Sequence, residues 1–292
     1  MRCLLVLLTI LPPSLAAQSP NAPLAEFAFT LHQNAIIVPA VINGRDTVRL
    51  LLDTGWGPIA LVSAAATRLG LVVDPGAGGL GRARVTSLAI GAASRSQPLV
   101  EVFPTENLAP LIGPHDGVLG TAFFRDLVLQ VDYPARVVRF FRRTPPATGT
   151  ARTSVPMIFA PQTGALPYSD SIWMDGQPVR GLFDTGGAGA FVAMRRLIER
   201  AGLRPIPPPD SGRAQVGIGM LSGDTMVRQR VQFARVGRVA VGTFAVDTPR
   251  VMLAPPQLSG DDWGHDLIIG YGFMRHYVVT FDYPQRRVTL ER

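Results

Sequence analysis

Residues 49–63 read RLLLDTGWGPIALVS, and residues 180–194 read RGLFDTGGAGAFVAM. In both, an apolar run closes on Asp-Thr-Gly, and a second apolar stretch follows after a few small residues. Each aspartate, Asp53 and Asp184, ends a run with the character of a strand, Leu50-Leu51-Leu52 or Gly181-Leu182-Phe183, so its carboxylate is fixed at a strand end. Thr54 and Thr185 bring hydroxyls able to bond backbone on an opposing loop. Gly55 and Gly186 let the chain turn sharply and bring an N–H against the carboxylate.

Working outward, the rest of the chain repeats as well, and a repeat changes the whole architecture. Residues 115–141, HDGVLGTAFFRDLVLQVDYPARVVRFF, align without a gap to residues 265–291, HDLIIGYGFMRHYVVTFDYPQRRVTLE. Gly120 falls on Gly270, Arg125 on Arg275, and Asp132-Tyr133-Pro134 on Asp282-Tyr283-Pro284. Upstream of each DTG stands a turn dipeptide, Asn43-Gly44 or Asp175-Gly176, and downstream a short helical stretch, Ala64–Leu69 or Met194–Ala201. Turn dipeptides between short β-rich runs describe antiparallel sheet, and each DYP pattern reads as a hairpin with proline in its turn. The pattern predicts an all-β protein of two pseudo-symmetric lobes with short helices and a cleft between them. Its divisions are a signal peptide at 1–17, an N-terminal lobe at 18–143, a linker at 144–155 and a C-terminal lobe at 156–292. Asp53 and Gly120 lie 67 positions apart but Asp184 and Gly270 lie 86 apart. The excess falls in Pro205–Gln229 and in the loop before His265, as expected of surface insertions flanking a cleft.

Two such turns meeting across a pseudo-twofold axis place Asp53 and Asp184 side by side. Carboxyls that close do not both ionise readily, so the pair keeps one proton over a range of pH. The ionised member can then accept a proton from a water while the protonated member donates to a substrate carbonyl. That is acyl hydrolysis without a covalent intermediate, and it needs neither cofactor nor metal.

These motifs carry a resemblance. The pairing of φ-φ-Asp-Thr-Gly with a downstream φ-φ-Gly, here Val118-Leu119-Gly120 and Ile268-Ile269-Gly270, resembles the pepsin and retropepsin superfamily of aspartic proteases. The closing stretch IIGYGFMRHYVVTFDYPQRRVTL looks like the pepsin C-terminal signature, and the Asn43-Gly44 strand leading into LLLDTG is similar to bacterial retropepsin-like exported proteins. The resemblance implies the pepsin-like bilobal fold, catalytic roles for Asp53 and Asp184, support from Thr54, Gly55, Thr185, Gly186, Gly120 and Gly270, and a peptide or protein substrate. The chain departs from the family where Ser, Thr or Ala usually follows DTG: here stand Trp56 and Gly187. No tyrosine lies between Asp53 and Tyr133 to match the pepsin flap tyrosine, and the candidate flaps are Gly76–Arg82 and Val216–Gly223.

Composition narrows the class further. Residues 1–17 pair Arg2 with an apolar core and then small residues, the pattern of a secretory leader cut near Ala16 or Ala17. The expected product is an exported protein, periplasmic or secreted, with no integral membrane segment. Cys3, the one cysteine of the 292 residues, leaves with that leader, which excludes disulfides and cysteine nucleophiles from the mature chain. The formal net charge of +7 comes from arginine alone, since no lysine occurs. The arginines are scattered, and the pattern reads as compositional bias rather than as a nucleic-acid surface. His115-Asp116 and His265-Asp266 read as loop capping rather than as a metal motif, and Asp132 and Asp282 as turn residues. Because both half-sites sit in one chain, a monomer is expected. Two functions stay open: an aspartic endopeptidase, or a catalytically silent module that binds a peptide or cell-envelope ligand in the same cleft.

Overall fold

A computed structural model of the chain describes residues 21–76, 80–105, 113–159, 164–207, 216–222, 225–255 and 264–292. The leader at 1–17, part of each candidate flap and most of the loop before His265 lie outside the described residues. What is described is built almost wholly of strands, with four short helices, Ser63–Arg68, Thr121–Phe124, Arg195–Arg200 and Tyr271–Met274. None of the described helices is long and apolar enough to cross a membrane.

The two halves build matching sheets. In the first, Ala35–Ile42, Asp46–Leu52, Gly117–Leu119 and Ile59–Val62 lie side by side at the centre of a ten-stranded sheet. In the second, Tyr168–Met174, Gln177–Phe183, Leu267–Ile269 and Phe191–Ala193 take the same order in an eight-stranded sheet. The turn dipeptides close the hairpin that leads into each DTG. Asn43 and Gly44 have φ of 54° and 67°, Asp175 and Gly176 49° and 78°, the paired left-handed geometry of a tight two-residue hairpin turn.

The pairing at the heart of each sheet is parallel rather than antiparallel. Leu50–Leu52 run parallel to Gly117–Leu119, and Gly181–Phe183 parallel to Leu267–Ile269. Turn signals report only strands joined by hairpins. These partners lie more than sixty residues apart, so nothing local in the sequence announces them. A strand inside such an arrangement is covered on both faces, which explains the unbroken apolar runs before each DTG. Leu50 and Leu52 enter the main core, whereas Leu51 faces a second cluster with Ile37, Ala60, Val62, Phe103 and Val118.

A third sheet of six strands joins the halves. Val128–Asp132 of the first pairs antiparallel with Val278–Asp282 of the second, and Gln130 donates to the Thr280 hydroxyl at 3.2 Å across the seam. Each of these strands forms the hairpin expected of its DYP pattern. Asp132 accepts the Ala135 N–H at 3.0 Å and Asp282 the Gln285 N–H at 2.9 Å, which closes both turns. The segment 144–155 runs into Arg152–Pro156, an edge strand of the same sheet.

Candidate active site

Each DTG turn starts where its strand leaves the sheet. The Asp53 N–H donates to Leu119 O at 3.1 Å and the Asp184 N–H to Ile269 O at 2.9 Å, so each aspartate backbone is held by the φ-φ-Gly strand beside it. After that strand the chain turns into a short helix whose first N–H groups dock on the loop following the DTG. Thr121 donates to Trp56 O and Ala122 to Gly57 O, both at 2.8 Å; Tyr271 donates to Gly187 O at 2.8 Å and Gly272 to Gly189 O at 3.0 Å. Orphan helix-start N–H groups thereby brace the loop after each DTG.

The packing is closest at Gly120 and Gly270. A Cβ on Gly120 would stand 2.1 Å from Pro58 O and 2.7 Å from Trp56 O, and one on Gly270 2.4 Å from Gly187 O and 2.5 Å from Gly189 O. Both residues have extended backbone, with φ of −85° and −113°, so contact and not conformation requires glycine there.

The two turns interlock through their threonines. Thr54 Oγ1 donates to Phe183 O at 2.8 Å and accepts the Thr185 N–H at 3.0 Å; Thr185 Oγ1 donates to Leu52 O at 2.8 Å and accepts the Thr54 N–H at 3.0 Å. All four groups are buried, so the hydroxyls satisfy backbone that water cannot reach. Replacing either threonine by valine keeps the shape and leaves an N–H and a C=O without partners. Each orphaned group is expected to cost about 1–3 kcal/mol. Urea unfolding measures it, and a loss under about 0.5 kcal/mol would show that the interlock contributes nothing.

The interlock brings the carboxyls together. Asp53 and Asp184 are both buried and hydrogen-bond each other side chain to side chain. Each DTG glycine lies over the carboxyl of the other half: a Cβ on Gly55 would be 2.7 Å from Asp184 Cγ, and one on Gly186 2.6 Å from Asp53 Oδ2. Asp53 Oδ1 accepts the Gly55 N–H at 2.8 Å. Asp184 Oδ1 accepts two, from Gly186 at 2.8 Å and from Gly187 at 3.0 Å. Burial pushes the Asp53 carboxyl well above the usual carboxylate range, and the neighbouring Asp184 adds to it. Burial also raises Asp184, but its bond from Asp53 and the two N–H donors hold it back.

Three features at this site carry no signal in the sequence. Gly187 stands where a hydroxyl residue would be expected, and its backbone N–H reaches the carboxylate instead. Tyr133 and Tyr283, the tyrosines of the DYP turns, are buried behind the pair, each electrostatically coupled to the aspartate of the opposite half, Asp184 and Asp53 respectively. Burial first and that neighbouring carboxyl second hold both phenols above their ordinary range, so they stay neutral; among the described residues neither hydroxyl has a hydrogen-bond partner. Trp56 packs with its ring centroid 5.7 Å from that of Phe103, whose cluster Leu80 also covers. Those two residues, with Ser63, Val73, Pro75 and Val102, line a cavity of about 390 Å³.

The His-Asp pairs do work away from the carboxyls. Asp116 accepts the Arg49 N–H at 2.8 Å and Arg68 at 2.5 Å. Asp266 accepts the Arg180 N–H at 3.1 Å, Arg196 at 2.9 Å and Arg200 at 3.1 Å. Both aspartates tie the strand entering the DTG to the helix that follows it, at matching points of the repeat.

Comparison with known proteins agrees with this construction. Residues 171–273, which contain the second DTG and its φ-φ-Gly strand, match the model of a family described as aspartyl protease. A search of curated proteins found no match. Among solved structures the chain is similar to the crystal structure of the aspartic proteinase from Irpex lacteus, at 13% sequence identity and a TM-score of 0.51, covering 91% of this chain and 96% of that one. At that identity the likeness is one of fold.

Proposed function

We propose, from the match of residues 171–273 to an aspartyl protease family and from the pepsin-like fold, that the chain is an aspartic endopeptidase whose catalytic residues are Asp53 and Asp184. The observation that carries the reading is the buried pair itself: two carboxyls hydrogen-bonded to each other, each fixed by glycine N–H groups, on turns locked together by Thr54 and Thr185. One carboxylate takes a proton from a water, the water oxygen attacks the scissile carbonyl, and the other carboxyl protonates the carbonyl oxygen. Thr54, Gly55, Thr185 and Gly186 position the pair, and Gly120 and Gly270 let the supporting loops close on it.

The chemistry requires one proton on the pair, so the rate falls when both carboxyls are protonated and when both are ionised, giving a bell-shaped profile. Because burial raises both groups, the bell should be centred on the neutral side of the ordinary carboxylate range. The test is to incubate residues 18–292 with a mixed peptide library from acid to neutral pH and to follow new termini by mass spectrometry. Internal cleavage with such a profile is the expected result; no cleavage at any pH would remove the endopeptidase reading.

We further propose that the chain is exported, periplasmic or secreted, once residues 1–17 are removed, and acts as a monomer, since one chain supplies both half-sites. A specific observation favours one rival. Neither Trp56 nor Gly187 offers a hydroxyl to the carboxyls, while Phe103, on which Trp56 packs, lines a largely apolar cavity, as a silent peptide-binding module would require. Peptide retained without product on prolonged incubation is the outcome that would establish it.

A further inference from the structure

The seam between the halves exchanges a tyrosine in each direction. In the six-stranded sheet Asp132 lies opposite Val278, and Val128 opposite Asp282. Tyr133 and Tyr283 come directly after those aspartates, so the antiparallel register carries each past its own half and onto the short helix of the other. The Tyr133 N–H donates to Tyr277 O at 3.4 Å, and its ring lies 5.8 Å from that of Tyr271, which opens the helix Tyr271–Met274. The Tyr283 ring lies 5.5 Å from that of Phe124, which closes the helix Thr121–Phe124. These are the helices whose first N–H groups hold Gly187 O and Trp56 O. Each phenol thus packs against the brace of the opposite DTG loop. We propose, resting on the catalytic reading above, that Tyr133 and Tyr283 are positioning residues for the reaction: each turns its buried hydroxyl toward the aspartate of the opposite half and, without touching substrate, sets the pH range over which the carboxyl pair holds its single proton.

The hydroxyls do nothing for the packing. Both side chains are buried, and among the described residues neither hydroxyl has a hydrogen-bond partner. A buried hydroxyl left unpaired destabilises a fold, and phenylalanine would fill either place with the same ring and no such loss. The rings alone make the contacts: Tyr133 also meets Phe29 edge-on at 6.1 Å, and Tyr283 stacks on Phe159 at 6.1 Å. What the hydroxyls face is charge. The titratable groups around Tyr133 are Asp184 and Tyr271, and around Tyr283 the group is Asp53. The Tyr277 hydroxyl is taken by Arg292 at 2.7 Å, and Arg286 lies beyond Phe159, its guanidinium carbon 5.3 Å from that ring's centroid. Burial, and after it the facing carboxyl, keeps both phenols protonated, so each remains an O–H dipole. An O–H with no other acceptor turns toward a neighbouring anion, and in a buried site that dipole favours the charged carboxyl.

The two phenols therefore act against the burial that raises Asp53 and Asp184, one phenol on each aspartate. Removing a hydroxyl takes away a group that favours the charged form, so the carboxyl it faces keeps its proton to higher pH. Because the two carboxyls are hydrogen-bonded to each other, a change at either one moves both steps of the pair's titration. In acid, where both carboxyls carry protons, the hydroxyls have no anion to face. There only their burial counts, and a phenylalanine in either place should leave the chain at least as stable as wild type.

Tyr133→Phe, Tyr283→Phe and the double variant of the 18–292 chain, labelled with aspartate bearing ¹³C at Cγ, are titrated by NMR beside a pH profile of cleavage. The titration of the pair should move to higher pH in each single variant and further in the double one. Both limbs of the cleavage profile should move with it, and urea unfolding in acid should show no loss of stability. Carboxyl titrations that coincide with wild type would overturn the proposal, and so would lost stability in acid, which would give the hydroxyls a structural use instead. The wild-type chain supplies an independent reading that needs no variant. With ¹³C at tyrosine Cζ, the Tyr133 and Tyr283 resonances should follow the titration of the carboxyl pair although neither phenol ionises; resonances that stay flat across that range would also overturn it. A shifted carboxyl titration in a chain that cleaves no peptide would support the role of the phenols and sink the endopeptidase. Cleavage with an unshifted profile would do the opposite.

Discussion

Asp53→Asn and Asp184→Asn, made separately, should each lower peptide hydrolysis by about 10²–10⁴-fold, the range typical of a positioned acid or base, while the fold survives and gains stability near neutral pH. The activity loss follows from the shared proton: either amide leaves a single titrating group where the reaction needs two in different states. The stability gain follows from linkage. Both carboxyls titrate higher in the folded chain than in the unfolded one, because burial disfavours the charge and, at Asp53, the neighbouring Asp184 adds to it. A folded state that keeps its protons longer loses stability as pH rises from the unfolded value through the folded one. That penalty is present in full above the folded values and is gone below the unfolded one. The neutral amide removes it, so the melting temperature of Asp53→Asn should exceed that of wild type at neutral pH and converge with it in acid. A capping role for the aspartates predicts the reverse, destabilisation at every pH. Calorimetry at two pH values beside a cleavage assay decides between them.

Gly120→Ala should cost about 3 kcal/mol or more, the upper end of overpacking penalties, and abolish cleavage with it. A methyl at that position meets backbone only: the carbonyls of Pro58, Trp56 and Gly57 at 2.1–2.8 Å. Backbone that carries the Thr121 and Ala122 N–H bonds cannot move aside without breaking them, and it continues directly into the first DTG turn. Gly270→Ala should behave alike, since its obstruction by Gly187 O and Gly189 O is the same contact in the second half. Gly44→Ala is the control. It has a positive φ of 67° but open space within 4 Å, so only the left-handed strain of about 1–2 kcal/mol applies. Equal losses at Gly44 and Gly120, by urea unfolding, would show that backbone conformation rather than close contact governs both sites.

Much of the site's support is made of parts that repeat in sequence and meet in space. Asp116 and Asp266 show how a residue pair suggestive of metal chemistry takes a mechanical role. Each accepts the N–H of the arginine four positions before its DTG, Arg49 or Arg180, and fastens the neighbouring helix through arginine side chains. The arginine-only surface thus has local uses of its own, and Arg139 repeats the theme by bonding both Glu26 and Asp132.

What the sequence determined by itself is what depends on local backbone preference and on repetition. The Asn43-Gly44 and Asp175-Gly176 turns demanded left-handed residues, and the DYP hairpins an acceptor three residues before a free N–H. The β-rich, two-part character followed from runs of apolar residues between such turns. The repeat also placed Asp53 beside Asp184 in expectation, because two copies of one unit related by a twofold axis bring equivalent residues together. Only the tertiary structure decided the rest. The parallel pairing of Leu50–Leu52 with Gly117–Leu119, the six-stranded sheet shared between the halves, and the burial of Tyr133 and Tyr283 behind the aspartate of the opposite half all join residues far apart in the chain. The difference between the two half-sites belongs here as well. Two identical DTG triplets cannot say which aspartate gathers more donors, because that depends on whether the next N–H turns toward the carboxyl, as at Gly187, or the chain turns aside to pack an indole, as at Trp56. Sequence repetition makes the halves alike, and the packing around each turn makes them differ.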